Sequence, residues 1–359
     1  MNPEGHAGPE PGAAGDPQAS LRAITAGRDL DAVEAQALFT RIMDGQVSSA
    51  MIGALLAALR TKGETEQEIA GAAKAMRARA TRVPTARDAL VDTCGTGGDL
   101  SGSFNVSTAA ALVVAAAGIP VAKHGNRAAS SRCGSADVLE ALGVTIDLDP
   151  ALVGRSIDEV GIGFLYAPRF HPAMRYAAEA RREIGIRTVF NLLGPLTNPA
   201  GARRQLIGVP TEDAVTRIAG VLRELGAEAA VVVHGMEGLD EISVCGPTRI
   251  ATVRDGEIEA RTIEPEELGL ATFTAAEIAG GDAHANARIL RDVLEGRGSG
   301  AQRAVVAANA GAGIWIGGGA ATPRAGVDRA RSVLESGDGA RLLDDLAAFT
   351  RAVASEPPG

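Results

Sequence analysis

The sequence predicts an α/β protein with a small all-helical domain and a larger α/β domain, which has a mainly parallel central sheet and flanking helices. Two observations carry this prediction. Apolar residues recur at helical spacing through residues 20–82, and short apolar runs alternate with helical segments from residue 90 onward. Such alternation is typical of parallel sheets, because two parallel strands need a long crossover connection between them.

The first domain is predicted from its helices and their breaks. Apolar periodicity indicates helices over 30–43, 48–61 and 64–80, and Asp44-Gly45 and Lys62-Gly63 separate them. Residues 1–18 are rich in Gly, Pro and Ala and are predicted to form a disordered tail. We therefore expect a helical domain over residues 19–85, joined by helices from about 167–200.

The second domain is expected to comprise residues 86–166 and 201–359. It begins with a strand, a glycine-rich loop and an Ala/Leu/Val-rich helix, for which Ser107 or Thr108 is the expected N-cap. The predicted strands are 90–93, 119–122, 163–166, 205–209 and 229–234, followed by a hairpin of 242–252 and 257–263.

Composition restricts the partners and the compartment. The formal net charge of −9 argues against non-specific binding to nucleic acid, whose phosphates require a basic patch. Three widely separated cysteines argue against a disulfide scaffold or a zinc site. No apolar run has the length of a membrane span, and the first residues lack the features of a signal peptide. We expect a cytoplasmic protein that binds neither nucleic acid nor a membrane.

The glycine-rich loop after the first predicted strand is the most informative segment. Residues 94–99 read Cys-Gly-Thr-Gly-Gly-Asp. The glycines either serve a tight turn or let backbone N–H groups bind an anion near a helix N-terminus. The loop lacks the lysine of a Walker A motif, and Leu100 stands where a dinucleotide-binding loop has its third glycine. Polar Asn105, Ser107 and Thr108 follow, and this chemistry suits a diphosphate.

Lys123 and His124 lie at the end of the second predicted strand, and Gly125-Asn126 follow them. These residues should lie at the carboxyl edge of the sheet, where ligands bind in open α/β folds. The alternatives are a solvated surface lysine and a histidine with a structural hydrogen bond. Ser135 lies at the start of the next predicted helix.

Asp240 and Glu241 form an acidic pair after the predicted strand 229–234. The pair could be a polar turn whose acids face water. It could instead hold Mg²⁺, which prefers oxygen ligands and often bridges protein to substrate phosphates. A diphosphate leaving group favours the second interpretation, because its charge calls for a divalent cation.

An arginine-rich helix leads into a segment of turn-forming residues. Arg181 could belong to a solvated helix face, or its guanidinium could bind a planar carboxylate. Asn191 to Pro199 contains too many turn formers for a helix or a strand, so we predict an ordered loop there.

Taken in order, these motifs resemble those of the anthranilate phosphoribosyltransferases of tryptophan biosynthesis, which have the nucleoside phosphorylase type of fold. The resemblance covers about residues 20–350. It rests on Gly95–Asp99, Asn105–Thr108, Lys123–Asn126, Gly134–Gly143, Phe190–Pro199 and His234–Glu241. It implies a homodimer joined through the helical domain and an active site in the cleft between the two domains. The implied donor is 5-phosphoribosyl 1-diphosphate (PRPP) and the implied acceptor is anthranilate.

The resemblance also implies which residues bind each ligand. PRPP would contact Gly95, Thr96, Gly97, Gly98, Asp99, Ser103, Asn105, Val106, Ser107, Thr108, Lys123, His124, Gly125, Asn126 and Ser135. Anthranilate would contact Gly95, His124, Asn126, Gly194, Pro195 and Arg181, the last through the carboxylate. Two Mg²⁺ ions, bridging protein and diphosphate, would be held by Ser107, Asp240 and Glu241.

Two other functions stay open at this point. A pyrimidine nucleoside phosphorylase would share the fold and the chemistry at ribose C1. Its motif joins Lys-His to Ser-Thr-Gly-Gly, whereas Gly125-Asn126 follow Lys-His in this chain. A non-catalytic phosphoribosyl- or nucleotide-sensing module would leave Arg181 and the acidic pair without a purpose.

Overall fold

The computed structural model describes residues 15–97, 101–128 and 132–356. The chain divides into two compact units. The helical unit comprises the chain up to Ala80 together with His171–Leu193, and the α/β unit comprises Thr81–Phe170 together with the chain from Gly194. The predicted fold class, a small helical part and a larger part on a mostly parallel sheet, is confirmed.

Helices precede the first strand, and strands alternate with helices from there to the fifth strand. The first half contains α1 (Pro17–Thr25), α2 (Ala32–Met43), α3 (Ser49–Lys62), α4 (Glu66–Arg79), β1 (Val91–Gly95), α5 (Val106–Ala116), β2 (Val121–Gly125), α6 (Ser135–Ala141), α7 (Pro150–Glu159), β3 (Ile162–Tyr166), α8 (Ala167–Phe170), α9 (Arg175–Ile184) and α10 (Val189–Leu196). The second half contains β4 (Arg204–Gly208), α11 (Glu212–Glu224), β5 (Ala229–Gly235), β6 (Thr248–Arg254), β7 (Glu257–Ile263), α12 (Ala283–Leu294), α13 (Gly300–Ile316), α14 (Pro323–Ser336) and α15 (Asp338–Ala354).

Side-chain caps start the first four helices of the helical unit. Asp31 and Thr65 each form a reciprocal capping box, at the starts of α2 and α4 respectively. Helix α1 has Pro17 in its first turn, and the Asp16 side chain accepts the N–H of Ala19 at 2.9 Å. The predicted tail over 1–18 is therefore wrong at its end, because this cap starts the helix there. Residues 1–14 lie outside the described residues.

The α/β unit is built on one sheet with strand order β3-β2-β1-β4-β5-β6-β7. The strands from β3 to β5 pair in parallel, and the β5–β6 and β6–β7 pairs are antiparallel. From β1 the chain first builds β2 and β3 on one side and then β4 and β5 on the other. The carboxyl ends of β1 and β4 therefore form a topological switch point, the usual place for a ligand in such sheets.

The hairpin after β5 starts later than predicted. Strand β6 begins at Thr248 rather than at Ile242, because Gly246-Pro247 interrupts the segment and proline cannot donate to a strand ladder. The turn to β7 lies between the two predicted strands, with positive φ at Asp255 (51°) and Gly256 (79°). Residues 242–247 therefore form a loop that follows the acidic pair.

An apolar core of Ala, Val, Leu and Ile fills the space between the sheet and helices α5 and α12–α15. Its low aromatic content agrees with the composition of the chain, of which only 3% is aromatic. Within the part of the chain that the structure describes, no helix combines the length and the apolar character needed to cross a bilayer.

Candidate active site at the carboxyl edge of the sheet

Glycines at two strand ends make room for the acidic loop. Gly95 ends β1 and is the register partner of Gly208, which ends β4. A Cβ on Gly95 would collide with the Asp240 carboxylate, and a Cβ on Gly208 would collide with the Asp240 backbone carbonyl. Asp240 can therefore lie over the ends of both strands only because neither position carries a side chain.

The acidic loop is bonded directly to the glycine-rich loop. The Gly97 N–H donates to Oδ2 of Asp240 at 3.1 Å, and the Thr96 N–H donates to the Gly208 carbonyl at 2.9 Å. Gly97 has φ +67°, which a glycine adopts without strain. The structure thus brings Gly95, Thr96 and Gly97 to Asp240. The predicted PRPP contacts Gly98 and Asp99 lie outside the described residues.

Lys123 is a buried cation rather than a surface lysine. Only 2% of its surface is exposed, and its Nζ donates to the Thr93 carbonyl at 2.6 Å and to Ser107 Oγ at 3.5 Å. Burial lowers its pKa, and the charges of Asp92 and Glu241 act in the opposite direction. Lys123 therefore connects the middle of β2 to β1 and to the first turn of α5, and the charge of Glu241 acts on it.

Asp92 is a functional candidate that the sequence reasoning missed. It is fully buried in β1, where Oδ1 accepts the His124 N–H at 3.1 Å and Oδ2 accepts Nδ2 of Asn198 at 2.8 Å. Burial raises the pKa of Asp92 to about 6, against the opposing charge of Lys123. The available signal was an acid inside the apolar strand Leu-Val-Asp-Thr, since an acid is rarely buried there without partners.

His124 is held in a neutral state. Its Nδ1 lies 2.9 Å from the Gly194 carbonyl, and because a carbonyl only accepts, Nδ1 carries the proton. Burial lowers the His124 pKa to about 4. The neighbouring Pro195 carbonyl accepts Nε2 of Gln205 at 2.6 Å. The α/β unit thus positions Gly194 and Pro195 through two buried side chains.

The predicted loop over Asn191–Pro199 is wrong for residues 191–196, because α10 continues to Leu196 with Pro195 in its last turn. Asn191 Oδ1 accepts the N–H of Thr188 at 2.9 Å, which fixes the start of the helix. A proline in the last turn removes one helical hydrogen bond instead of breaking a long run of them. The turn-forming composition therefore marked the end of a short helix.

The first turn of α5 starts two residues earlier than predicted. Asn105, rather than Ser107 or Thr108, is the N-cap residue, and its side chain does not cap the helix. Its Nδ2 donates to the Cys133 carbonyl at 3.2 Å, and its Oδ1 accepts Nδ2 of Asn286 at 2.9 Å. Val106 and Thr108 are each only 1% exposed. A ligand at the start of α5 could therefore contact the backbone of these residues rather than their side chains.

The remaining predicted PRPP contacts fall into two places. Ser103 forms an antiparallel bridge with Ala279 next to the start of α5. The other place is the end of β2, where the Ser135 hydroxyl donates to the Asn126 carbonyl at 3.3 Å, and a Cβ on Gly125 would collide with that hydroxyl. Gly125, Asn126 and Ser135 are therefore brought together.

Arg181 belongs to the helical unit, where it lies on α9. Its guanidinium carbon lies 5.3 Å from the centroid of the Phe190 ring, and burial lowers its pKa. Among the described residues, no carboxylate forms an ion pair with it. Arg181 is thus a partly desolvated cation that an incoming anion could neutralise.

Family models match both units. The helical bundle domain of the glycosyl transferase family matches residues 18–80, and the a/b domain of that family matches residues 87–340. The anthranilate phosphoribosyltransferase of Anaeromyxobacter sp. (strain K) is 56% identical over 333 residues, which cover 93% of this chain and 98% of that protein. This chain belongs to the anthranilate phosphoribosyltransferase family.

Solved structures of the family agree with this assignment. The enzyme from Thermus thermophilus matches with a TM-score of 0.87 and 45% identity, covering 92% of this chain and 99% of that chain. The Saccharomyces cerevisiae enzyme in complex with PRPP and Mg matches with a TM-score of 0.84 and 26% identity, covering 94% and 98%. The same yeast enzyme in complex with 4-fluoroanthranilate matches with a TM-score of 0.83 and 25% identity, covering 94% and 99%.

The acidic pair fits a magnesium ion by its donor chemistry. Asp240 and Glu241 offer carboxylate oxygens, and Ser107 offers a hydroxyl beside Lys123. Within the described ranges, no cluster of three or more His, Cys, Asp or Glu is arranged around a common metal position. A small number of protein ligands is sufficient for Mg²⁺, because this ion usually keeps several waters and takes its other oxygens from substrate phosphates.

Proposed function

We propose that this chain transfers the 5-phosphoribosyl group of PRPP to the amine of anthranilate. Diphosphate leaves, and the product is N-(5-phosphoribosyl)anthranilate, an intermediate of tryptophan biosynthesis. The observation that carries the proposal is the hydrogen bond from the Gly97 N–H to Asp240, which joins the phosphate-type loop to the acidic loop across two strand ends. We also propose that the enzyme works in the cytoplasm.

Charge and backbone donors support a PRPP site at this edge. Lys123 supplies a buried cation, and the glycine-rich segment Gly95–Asp99 is proposed to contact the diphosphate. Asn105 to Thr108 form the cap and first turn of α5, where the helix dipole favours an anion. Ser103 and the Lys123–Asn126 segment with Ser135 would complete the contacts to the ribose and phosphates.

Ser107, Asp240 and Glu241 would hold magnesium at this edge, and we propose two ions that bridge the protein and the diphosphate. Magnesium bound there would neutralise the charge that develops on the leaving diphosphate. Support comes from the donor set of this chain and from the yeast relative, whose complex contains PRPP and Mg. Glu241 is only 8% exposed, and its charge raises the pKa of Lys123. The site therefore contains a buried acid and a buried base close to each other.

Anthranilate is proposed to bind through its carboxylate to Arg181. The support is the partly desolvated guanidinium on Phe190, which no carboxylate among the described residues neutralises. His124, Asn126, Gly194, Pro195 and Gly95 are the further proposed contacts. His124 would act as a neutral hydrogen-bonding group, because its pKa of about 4 keeps it uncharged near pH 7.

The residues favour a mechanism driven by the leaving group. An aryl amine is a modest nucleophile, so departure of diphosphate should precede attack at ribose C1 and give an oxocarbenium-like transition state. Lys123 and the positive end of the α5 helix dipole would stabilise the negative charge on the diphosphate oxygens. Alignment of the two substrates would supply the rest of the rate enhancement. The amine adds through its lone pair, and the acidic arylammonium that forms then loses its proton to water, so no strong general base is required.

We propose that the helical unit also joins two copies into a homodimer. Val33, Tyr176 and Ile186 support this assignment, because three of the four exposed large apolar side chains in the described chain lie in this unit. Val33→Asp should raise the dimer dissociation constant in analytical ultracentrifugation. Met236→Asp, on the exposed apolar residue of the other unit, is the matched control and should leave the dimer intact.

Product analysis tests the proposed reaction. Enzyme mixed with PRPP, anthranilate and Mg²⁺ should form a product with the mass of N-(5-phosphoribosyl)anthranilate and release one diphosphate per product. A parallel reaction with uridine and inorganic phosphate tests the phosphorylase alternative. Release of uracil, without any phosphoribosylated anthranilate, would reject the proposed function.

A further inference from the structure

The loop that carries Asp240 and Glu241 is fixed at its downstream end by a side chain from helix α13. Asn309 is fully buried, its Oδ1 accepts the Ile242 N–H at 2.9 Å, and its Nδ2 donates to the Ile242 carbonyl at 3.0 Å. Ile242 is the residue that follows Glu241. Because both polar groups of one side chain are bonded to the backbone of one residue, the position and the orientation of that backbone are set together.

The upstream end of the loop is fixed by the sheet. The Gly235 N–H at the end of β5 donates to the Leu239 carbonyl at 2.8 Å, and the Asp240 backbone lies against Gly208 of β4. Asp240 and Glu241 therefore lie between two anchor points, one made by strand ends and one made by Asn309. Loss of the second anchor would free the side of the loop next to Glu241.

Asn309 is itself held firmly. Its Nδ2 also donates to the Val305 carbonyl at 2.9 Å, so both of its amide hydrogens are used. Helix α13 crosses α14 at close range, where a Cβ on Gly326 would collide with the Gly311 carbonyl. A buried asparagine in a helix interior is unfavourable unless its amide is fully bonded. The bonds to Ile242 are what compensate the burial of this amide.

We propose that Asn309 is a positioning residue for the magnesium site. Through its two bonds to Ile242 it fixes the backbone next to Asp240 and Glu241, the residues that would hold the metal, and its own side chain bonds only to backbone groups. This inference rests on the proposed metal role of the acidic pair. Residues that orient metal ligands typically change metal affinity by tenfold or more when they are replaced.

Three variants test the assignment. Asn309→Ala removes both bonds to Ile242. Asn309→Ser is a milder change that leaves a hydroxyl able to bond to the helix carbonyl, and it keeps the test open if the alanine variant folds poorly. Val306→Ala is the matched control, because it removes volume from a fully buried side chain on the same helix and touches neither Asn309 nor the acidic loop by a hydrogen bond.

Two readouts separate positioning from stability. The first is Mn²⁺ binding in the presence of diphosphate, measured by electron paramagnetic resonance, and the second is the Mg²⁺ concentration for half-maximal transfer. We expect both Asn309 variants to weaken Mn²⁺ binding, the alanine variant by about tenfold. The apparent KM for anthranilate should stay within about twofold of wild type, because Asn309 lies outside the proposed anthranilate contacts. The Val306 control should lose thermal stability and keep its Mn²⁺ affinity.

The outcomes are distinguishable from a failure of the proposed reaction. If the wild-type protein binds Mn²⁺ with diphosphate but transfers no phosphoribosyl group, the proposed function fails and the metal readout still tests Asn309. Equal changes in Mn²⁺ affinity for the Asn309 variants and Val306→Ala would overturn the positioning role. Unchanged Mn²⁺ affinity in a folded Asn309→Ala protein would overturn it as well.

Discussion

The two units of this protein surround their desolvated cations in opposite ways: Lys123 is buried, and Arg181 is partly buried. Lys123 in the α/β unit is hydrogen-bonded to Thr93 and surrounded by the charges of Asp92 and Glu241. Arg181 in the helical unit lies on the Phe190 ring, and no described carboxylate pairs with it. The difference fits our proposal: internal contacts would preorganise a diphosphate site around Lys123, whereas the Arg181 charge would be neutralised by an incoming carboxylate.

Removal of both acids should have the largest effect on activity. Asp240→Asn combined with Glu241→Gln keeps the size of the side chains but removes the charge that would hold magnesium. We expect kcat to fall about 10³-fold, which corresponds to about 4 kcal/mol of transition-state stabilisation. Steady-state rates over a range of Mg²⁺ concentrations measure this, and the response to Mg²⁺ should disappear together with the rate.

Glu237→Gln is the matched control for the acidic pair. Glu237 lies on the same loop, but its carboxylate accepts the Ser243 hydroxyl. Its replacement should leave the Mg²⁺ response unchanged. A double variant of the acidic pair that retains the wild-type Mg²⁺ response would refute the metal assignment.

The next effect concerns His124 and the pH dependence of stability. Its pKa is about 4 in the folded protein, below the ordinary value of 6.5, so the folded state binds a proton less readily than the unfolded state. The contribution of the neutral His124 ring to the free energy of unfolding is therefore fully present above pH 6.5 and is lost as pH falls toward 4. The shift corresponds to at most about 3 kcal/mol.

The variant His124→Asn isolates that contribution, because its amide can donate to the Gly194 carbonyl and does not titrate. Urea unfolding at about pH 4.5, 5.5 and 7 should show a difference between wild type and variant that shifts in favour of wild type as pH rises. The raised pKa of Asp92 acts in the opposite direction, but both proteins share it. A difference that stays constant over this range would contradict the buried neutral state of His124.

Arg181→Ala should have a smaller and selective effect. Loss of the guanidinium removes the proposed partner of the anthranilate carboxylate, so the apparent KM for anthranilate should rise about thirtyfold, equivalent to about 2 kcal/mol. The apparent KM for PRPP should change by less than about threefold. Arg182→Ala, a neighbour on the same helix, is the control. Equal increases of both KM values in Arg181→Ala would reject its role in carboxylate binding.

The sequence predicted the loops and charged residues of the candidate site better than the buried side chains that hold them in place. Gly95 to Gly97, Lys123 and Asp240 were predicted as candidate site residues because glycine loops and charged residues near strand ends have a local signature that can be interpreted without tertiary contacts. Strand limits differed by one to several residues, and the largest difference was the late start of β6 at Thr248.

The missed residues act over long sequence separations. Asp92 is hydrogen-bonded to Asn198, which lies 106 residues away in the sequence. Asn309 is hydrogen-bonded to Ile242, which lies 67 residues away. Nothing local distinguishes a buried amide of this kind from an ordinary polar residue, because its role depends on which backbone the fold places opposite it. Likewise, the turn-rich composition around Pro195 did not reveal that α10 continues to Leu196.

The most direct test follows anthranilate fluorescence after enzyme and PRPP are mixed with Mg²⁺, and then after EDTA is added. Our account predicts a decay that requires PRPP and Mg²⁺ together and stops when EDTA removes the metal. It also predicts that the double variant of Asp240 and Glu241 gives no decay under the same conditions. A decay that continues unchanged in EDTA, or no decay with any combination of PRPP and Mg²⁺, would contradict a metal-dependent transferase site at this edge of the sheet.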